Sequence, residues 1–429
     1  MMLSDRSVGW LRYLDGKAHT ADRWDRESRP HPHWDGGGAD LLASACALGL
    51  VAERTPAWTE RHVAVLDQLI QRHTAWWSLA PWLGDGDEVP SDPVTGQATF
   101  GWAGSLLVLL GMRAALAADD PWNEPFLLVG EGGPDGSGFP WTHTGIARAV
   151  ATSWPAPGAG DASQAIVAGL GLRLHDRRHR TALHADAFAP WWTEARDRFL
   201  DRADGAGDGD GDGDGNGTGD LADALVLAAL LAPQAPDDAR RLFDTAFPAL
   251  GADSGAVLSP DQAAGAGAVL LLAREWGLRD EAAEVAAAVE ASYQSTWDAD
   301  GGHTWALEAD EDRPRGRANA WLASAEAAGP GQWTGLYTGP WAPCHQVVGV
   351  DAPDVLLRRA EWIREALHVG LAPRRPDPAR WTTFRITGAE PRMWYLTGLN
   401  GTTMDTAGNA TIVRAPMVHG ELEFAPGSY

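Results

Sequence analysis

The feature that most constrains this fold is a long succession of helix-patterned segments with no strand-patterned segment between them. In segment 259–277, Ser259 is a candidate N-cap, and Gln262 completes a capping box just before an apolar run. Segment 59–76 begins with Thr59, another favourable N-cap, and then shows helical spacing of apolar residues. About ten such segments follow one another over roughly 330 residues, which favours a mainly α toroid of repeated helical hairpins over a βαβ fold.

The pattern changes near the C-terminus. From Trp381 onward the chain has short alternating segments rich in β-branched and aromatic residues, separated by Gly, Asn and Pro. We therefore predict a toroidal catalytic domain over residues 1–375 and a small β-rich segment over residues 376–429 packed on it. Within the first domain, residues 203–220 are dominated by Gly and Asp, which predicts a flexible acidic loop.

The acidic composition narrows the range of partners. The formal net charge is −24, and a chain this negative repels nucleic acid and anionic membrane surfaces. Cys46 and Cys344 are the only cysteines, so we expect buried thiols and no disulfide framework. The first residues show no signal-peptide pattern, and the apolar runs are too short to span a membrane. We expect a cytoplasmic protein with no nucleic-acid partner and no membrane span, and homo-oligomerisation stays open.

Tryptophan is unusually frequent in this chain. There are 22 Trp, against 9 Phe and 5 Tyr. Indole combines a large apolar surface with the strongest cation–π face among the side chains. Core packing accounts for many of these residues, but an excess this large also favours an aromatic-lined pocket for sugars, flat ligands or cations.

His31, His33 and Asp35 form an H-x-H-x-D pattern of the kind found in metal sites. Here the pattern lies in Pro- and Gly-rich sequence, follows no strand pattern and lacks a further histidine. The sequence shows no second His and Asp cluster with ligand spacing. We therefore expect neither a metal nor a cofactor. The absence of P-loop and G-x-S-x-G patterns also argues against nucleotide and serine-hydrolase chemistry.

Several stretches, taken in order, resemble the linalool dehydratase/isomerase family. They are "HWDGG" at 33–37, "VAERTPAWTE" at 51–60, "DPVTGQATFGWAGSLLVLLGM" at 92–112, "GLGLRLHD" at 169–176, "EWG" at 275–277, "YQSTWDADGGHTW" at 293–305 and "ANAWLASA" at 318–325. The resemblance covers nearly the whole chain from about residue 30 onward. It implies an (α/α)6 barrel whose hydrophobic central cavity protonates, dehydrates or isomerises a small terpene alcohol without a metal.

The resemblance also assigns roles residue by residue. Asp35 matches the family's aspartate near the substrate hydroxyl. Ser105 stands where the family has its catalytic histidine, and Pro155 and Gln164 stand at its two cysteines. Leu41 replaces a family tyrosine. The thiol-based proton transfer of the family is thereby lost, and linalool chemistry by that mechanism is not expected.

A pair of carboxylates remains. Asp161 occupies the position of a family phenylalanine, and we predict Asp35 as the leading proton donor with Asp161 as its partner. A carboxylic acid in an apolar wall has a raised pKa, and indole faces stabilise a developing cation, so the cavity suits carbocation chemistry on a prenyl substrate. The predicted substrate-binding residues, all at or beside the matched motifs, are Trp34, Leu41, Trp102, Ser105, Trp154 and Gln164.

Simpler explanations exist for both carboxylates. Asp161 and Gln164 have the spacing of a capping box, and a helix N-terminus favours the ionised carboxylate, which suits a base better than an acid. Asp35 can be a loop residue before a helix for which Asp40 is the expected cap. Two other function classes stay open. One is a carbohydrate-active (α/α)6 enzyme with two carboxylates and stacking Trp, and the other is a non-catalytic toroid that binds a hydrophobic ligand.

Overall fold

The computed structural model describes residues 2–20, 38–82, 92–128, 138–156, 162–205, 217–251, 257–309, 311, 314–338, 345–388 and 394–426. Its helices in chain order are α1 Asp5–Ala18, α2 Gly38–Arg54, α3 Glu60–His73, α4 Trp76–Leu79, α5 Phe100–Leu116, α6 His143–Thr152, α7 Ala162–His179, α8 Leu183–Gly205, α9 Gly217–Leu231, α10 Pro236–Ala246, α11 Ala263–Glu275, α12 Arg279–Ser292, α13 Gly316–Ala327 and α14 Gln332–Thr338. The predicted mainly α class is confirmed, and the capping box of Ser259 and Gln262 is present, closing a 3-10 turn at Pro260–Gln262.

Helices that are buried on most sides, called apolar helices below, alternate along the chain with amphipathic helices that are buried on one face. Six apolar helices, α2, α5, α7, α9, α11 and α13, contact one another in that order, and α13 contacts α2 in turn. Every residue of α5 is buried, as a helix enclosed on all sides requires. The helices between them pack from one side only. In α10, for example, Ala239, Leu242, Phe243 and Ala246 are the buried residues, which is the spacing of a single apolar face.

Contacts at small residues show the direction of the apolar helices. Gly101, Gly104 and Gly111 of α5 lie against Gln164, Ala168 and Leu174 of α7, respectively. The two sets of numbers rise together, so the helices are parallel and their first turns lie side by side. A Cβ on Gly104 would be 3.1 Å from the Ala168 Cα, so glycine is what permits this close approach.

The same parallel arrangement joins α13 to α2. Gly316, which begins α13, lies against Asp40 in the first turn of α2. At the other end, Arg54 Nε donates to the Ala327 carbonyl at 2.8 Å. The first turns of α2 and α13 are therefore neighbours, like those of α5 and α7.

Helix α14 lies against four of the six apolar helices. It contacts α2, α7 and α11, and Trp333 Nε1 donates to the Ala229 carbonyl of α9 at 2.7 Å. The carboxylate of Glu275, the last residue of α11, accepts from the backbone N–H groups of Trp333 and Thr334 at 2.8 and 2.9 Å. These bonds satisfy N–H groups at the start of α14 that its own turns cannot satisfy.

Two short antiparallel pairs lie among the helices: β1 Phe126–Leu128 with β2 Phe139–Trp141, and β3 Gln294–Trp297 with β4 His303–Ala306. The expectation of a helical run without strands is wrong at these places. Strands of three or four residues are too short to show a period in the sequence.

The C-terminal part contains β5 Val347–Val348, β6 Val355–Ile363, β7 Ala366–Pro373, β8 Asp377–Thr387, β9 Trp394–Gly398, β10 Thr403–Ala407, β11 Ala410–Met417 and β12 Gly420–Pro426. They form two antiparallel four-stranded sheets in the orders β10-β11-β8-β5 and β6-β7-β12-β9. A β-rich C-terminal part is present, but it begins at Val347, and the boundary predicted at residue 375 falls between β7 and β8. Backbone bonds of 2.8 Å from Leu3 to Arg358 and from Ala57 to Ala360 join β6 to the helical part.

The acidic loop predicted at 203–220 is partly helical. Helix α8 continues to Gly205 and α9 begins at Gly217, and residues 206–216 lie outside the described residues. Among the helices that the structure describes, none combines the length and apolarity needed to cross a bilayer.

Candidate functional site

Three predicted site residues, Trp34, Asp35 and Asp161, lie outside the residues that the structure describes. Their positions are known from the sequence alone. Asp35 stands three residues before Gly38, where α2 begins, and Asp161 directly precedes Ala162, where α7 begins. Their catalytic and binding roles stay predictions, and the described residues at the same helix ends supply the geometry that follows.

Gln164 is half-buried in the first turn of α7, where it meets the first turn of α5. A Cβ on Gly101 of α5 would lie 2.8 Å from Gln164 Cγ and 2.6 Å from Trp82 Cζ3. Those separations are below van der Waals contact, so glycine at position 101 is what lets Gln164 and Trp82 pack this closely. Trp82 is not among the predicted site residues, and its only signal in the sequence is the general excess of tryptophan.

Trp154 lies against three aromatic rings near these helix ends. Its ring centroid is 5.5 Å from that of Phe100 and 6.4 Å from those of Phe188 and Trp191, in edge-to-face arrangements. The indole nitrogens of Trp82, Trp154 and Trp191 are buried and have no hydrogen-bond partner in the described part of the chain. Buried indole N–H groups normally donate a hydrogen bond, so these three nitrogens are donors available to an acceptor outside the described residues.

Trp102 packs between α5 and α3. Its ring stacks on His73 with centroids 5.3 Å apart, and His73 Nε2 donates to the Trp102 carbonyl at 3.0 Å. Burial lowers the pKa of His73 to about 4, which keeps this ring neutral at pH 7. Leu41 and Ser105 are buried as well. Substrate contacts for Leu41, Trp102 and Ser105 stay predictions.

Lys17, the only lysine of the chain, forms a buried ion pair at the start of α2. Its Nζ lies 2.6 Å from Asp40 Oδ2, and the two side chains are 1% and 6% exposed. Ser44 Oγ donates to Asp40 Oδ1 at 3.3 Å. A Cβ on Gly316 would overlap both Lys17 Nζ and Asp40 Oδ2. Asp40 was expected to cap α2 from the position before it, but it lies inside the first turn and its carboxylate binds Lys17.

Cys46 lies farther along α2, in contact with α14. Its Sγ is 3.7 Å from the hydroxyl oxygen of Tyr337. Burial raises the pKa of Cys46 to about 12 and raises that of Tyr337 as well, so both groups are neutral at pH 7. Tyr337 also packs edge-to-face on Trp333, with ring centroids 5.0 Å apart. The predicted buried thiol is confirmed for Cys46, and Cys344 lies outside the described residues.

A second polar group, the histidine cluster, consists of Asp120, His143, His175 and His179. His143 Nδ1 and His179 Nε2 lie 2.9 and 3.1 Å from the same oxygen, Asp120 Oδ2. His175 stacks on His179 with centroids 4.4 Å apart and meets His143 edge-on at 5.1 Å. The expectation of no further His and Asp cluster does not hold in three dimensions. In the sequence, only the four-residue spacing of His175 and His179 on one helix hinted at it.

Comparison with known proteins assigns no family, since no family model matches this chain and no curated protein matches it significantly.

Proposed function

We propose that this chain is an acid-catalysed terpenoid cyclase, isomerase or lyase. It would act on a prenyl substrate in the aromatic-lined cavity of an (α/α)6 barrel. The observation that carries the proposal is the side-by-side placement of the first turns of α5 and α7, where Gln164, Gly101 and Trp82 meet. Asp161 directly precedes one of these helices in the sequence.

The barrel itself is supported by the pattern of helix contacts. The six apolar helices contact one another in sequence and the last contacts the first, as in a closed ring of inner helices. The amphipathic helices between them would form the outer layer. Helix α14 contacts four members of this ring, including α9 at Ala229 near that helix's end. In the proposed barrel, α14 would close one end and the ligand would enter at the other, beside the first turns.

The chemistry follows from an apolar site that contains acids. A carboxylic acid surrounded by apolar side chains stays protonated near neutral pH and can protonate an alkene or epoxide. Each indole face that contacts the resulting cation stabilises it by about 1–2 kcal/mol when water is excluded. We assign Asp35 as the donor. Asp161, immediately before a helix N-terminus, would stay ionised and act as the base that ends the reaction.

The proposal is tested by incubating the full chain with C10, C15 and C20 prenyl alcohols and epoxides and analysing the products by gas chromatography and mass spectrometry. We expect turnover by the wild type and a loss of at least about a hundredfold in Asp35→Asn, which is the range of general-acid effects. Asp161→Asn should lower the rate and change the product ratio.

The matched control for both substitutions is Asp244→Asn, because Asp244 is an exposed carboxylate on α10 that pairs with Arg240 at 2.8 Å. It should retain full activity. Full activity in both Asp35→Asn and Asp161→Asn would contradict the assigned roles. Binding of prenyl ligands without any turnover would favour a non-catalytic binding protein. Turnover of oligosaccharides instead would favour a carbohydrate-active enzyme.

A further inference from the structure

The histidine cluster brings three metal-ligating atoms together from three separate segments. Asp120 immediately precedes a 3-10 turn at Pro121–Asn123, His143 begins α6 and His179 ends α7. One ligand atom from each of Asp120, His143 and His179 lies within 4.8 Å of the other two. At a zinc–nitrogen distance of about 2.0–2.1 Å, two ligand atoms of a tetrahedral site are about 3.3 Å apart. The separations of 2.9 and 3.1 Å from Asp120 Oδ2 need only a small expansion to reach that spacing.

The hydrogen bonds of the cluster are unevenly distributed. Both imidazoles converge on one oxygen, Asp120 Oδ2, while Asp120 Oδ1 is buried without a partner among the described residues. Simple hydrogen-bond packing would be expected to use both oxygens, since an ionised carboxylate has several acceptor positions. The ligand atoms of the two imidazoles and the carboxylate are close enough together to bind a common cation.

His175 fixes the ring of His179 without being a ligand itself. Its Nδ1 lies 3.1 Å from Thr181 Oγ1 and its Nε2 lies 3.4 Å from Thr144 Oγ1, so both nitrogens are engaged. Stacked on His179, it restricts rotation of that ring. Supporting residues of this kind orient the ligands in protein metal sites.

We propose that Asp120, His143 and His179 bind one divalent transition-metal ion of the zinc type. Two imidazole nitrogens and one carboxylate oxygen are a ligand set that zinc takes in proteins, with the fourth position left to water or another ligand. The His179 side chain is 20% exposed, which gives an ion access from solvent. His179 ends a helix of 18 residues, so the metal site is about 26 Å from the first turn of α7 and is separate from the proposed active site.

The test uses the full chain, dialysed against a chelator, with Zn²⁺ alone as the ligand and a chromogenic chelator as the competitor. We expect one Zn²⁺ per chain, and with Co²⁺ a visible spectrum typical of tetrahedral coordination. Asp120→Asn and His179→Gln each remove one ligand and should weaken Zn²⁺ binding at least a hundredfold. His179→Gln changes a partly exposed residue at a helix end, so it keeps the test valid if Asp120→Asn does not fold.

Asp119→Asn is the matched control, since it makes the same chemical change one residue away, where the carboxylate binds Arg113 at 2.8 Å. It should bind Zn²⁺ as tightly as the wild type. Three results would overturn the proposal: no equivalent of Zn²⁺ bound by the wild type, unchanged affinity in both ligand variants, or affinity lost only when His31 and His33 are replaced by Gln.

Discussion

The Lys17–Asp40 pair and the histidine cluster are both buried, and both combine a carboxylate with nitrogen bases. They differ in how far the partners of the carboxylate balance its negative charge. Asp40 receives a full positive charge at one oxygen and a hydroxyl at the other. Asp120 lies at hydrogen-bond distance from two imidazole rings at one oxygen, and its other oxygen has no partner among the described residues. The first arrangement balances its charge internally and joins helices. The second keeps a negative charge that a cation would neutralise.

The largest expected effect comes from breaking the Lys17–Asp40 pair. Lys17→Met leaves Asp40 as a buried charge without its cation and should lower the free energy of unfolding by about 3–5 kcal/mol, measured by urea denaturation. Lys17→Met combined with Asp40→Leu should recover much of that loss, since an apolar pair of similar volume removes the uncompensated charge. A loss below about 1 kcal/mol in Lys17→Met would show that the pair does not stabilise the fold.

His62 and His73 differ from the rings of the histidine cluster, since they are buried without a carboxylate partner among the described residues. Burial lowers the pKa of His73 to about 4 and that of His62 to about 3, against 6.5 for an exposed ring. Between these values and 6.5 the unfolded chain binds more protons, so stability falls as the pH drops from 6.5 toward 4. His73 alone should contribute a loss of about 3 kcal/mol.

This pH effect is measured by urea denaturation at several pH values from 7 to 4. His73→Gln should reduce the slope of stability against pH over that interval, and His19→Gln is the control because the His19 side chain is 46% exposed. An unchanged slope in His73→Gln would contradict the assignment.

A smaller loss of stability is expected from a substitution where α13 contacts the Lys17–Asp40 pair. Gly316→Ala places a methyl group against Lys17 Nζ and Asp40 Oδ2, so the ion pair or the helix must shift, at a cost of about 1–3 kcal/mol. Thermal denaturation would measure it. Gly335→Ala is a fair comparison because a Cβ there has no neighbour within 4 Å. Equal melting temperatures for the two variants would argue against a tight fit at Gly316.

The smallest effect should come from an exposed pair. Asp119 binds the largely buried Arg113, but its own side chain is 72% exposed. Asp119→Asn should therefore change the free energy of unfolding by less than about 1 kcal/mol. A change comparable with that of Lys17→Met would mean that the exposure of an ion pair does not determine how much it contributes to stability.

These differences also show which features a sequence can predict. Ser259 and Gln262 were predictable because a capping box is local, and most helices were predictable from their apolar spacing. Strand β6 was not, since its pairing depends on distant partners such as Ala57 and Leu3. Leu356 and Leu357 are both buried, so both faces of the strand are covered there and the sequence shows no alternation. A continuous apolar run fits a helix and a strand equally well.

The residues of the candidate sites also divide into those that the local sequence identifies and those that only tertiary packing brings together. Gln164 was identified through its neighbours in the chain, and the structure places it at a helix junction. Trp82 joins that junction only through tertiary packing. Asp120, His143 and His179 are separated by 23 and 36 positions, and they meet only because α6, α7 and the 3-10 turn after Asp120 pack together.

The burial of Lys17 has a consequence for chemical labelling. It is the only side-chain amine in the sequence, and in the folded chain it is 1% exposed. Amine-reactive reagents would therefore acylate this side chain only when α1 separates from α2. Digestion after labelling and mass measurement of the peptide that contains Lys17 would then report local opening at the start of α2, without any engineered probe.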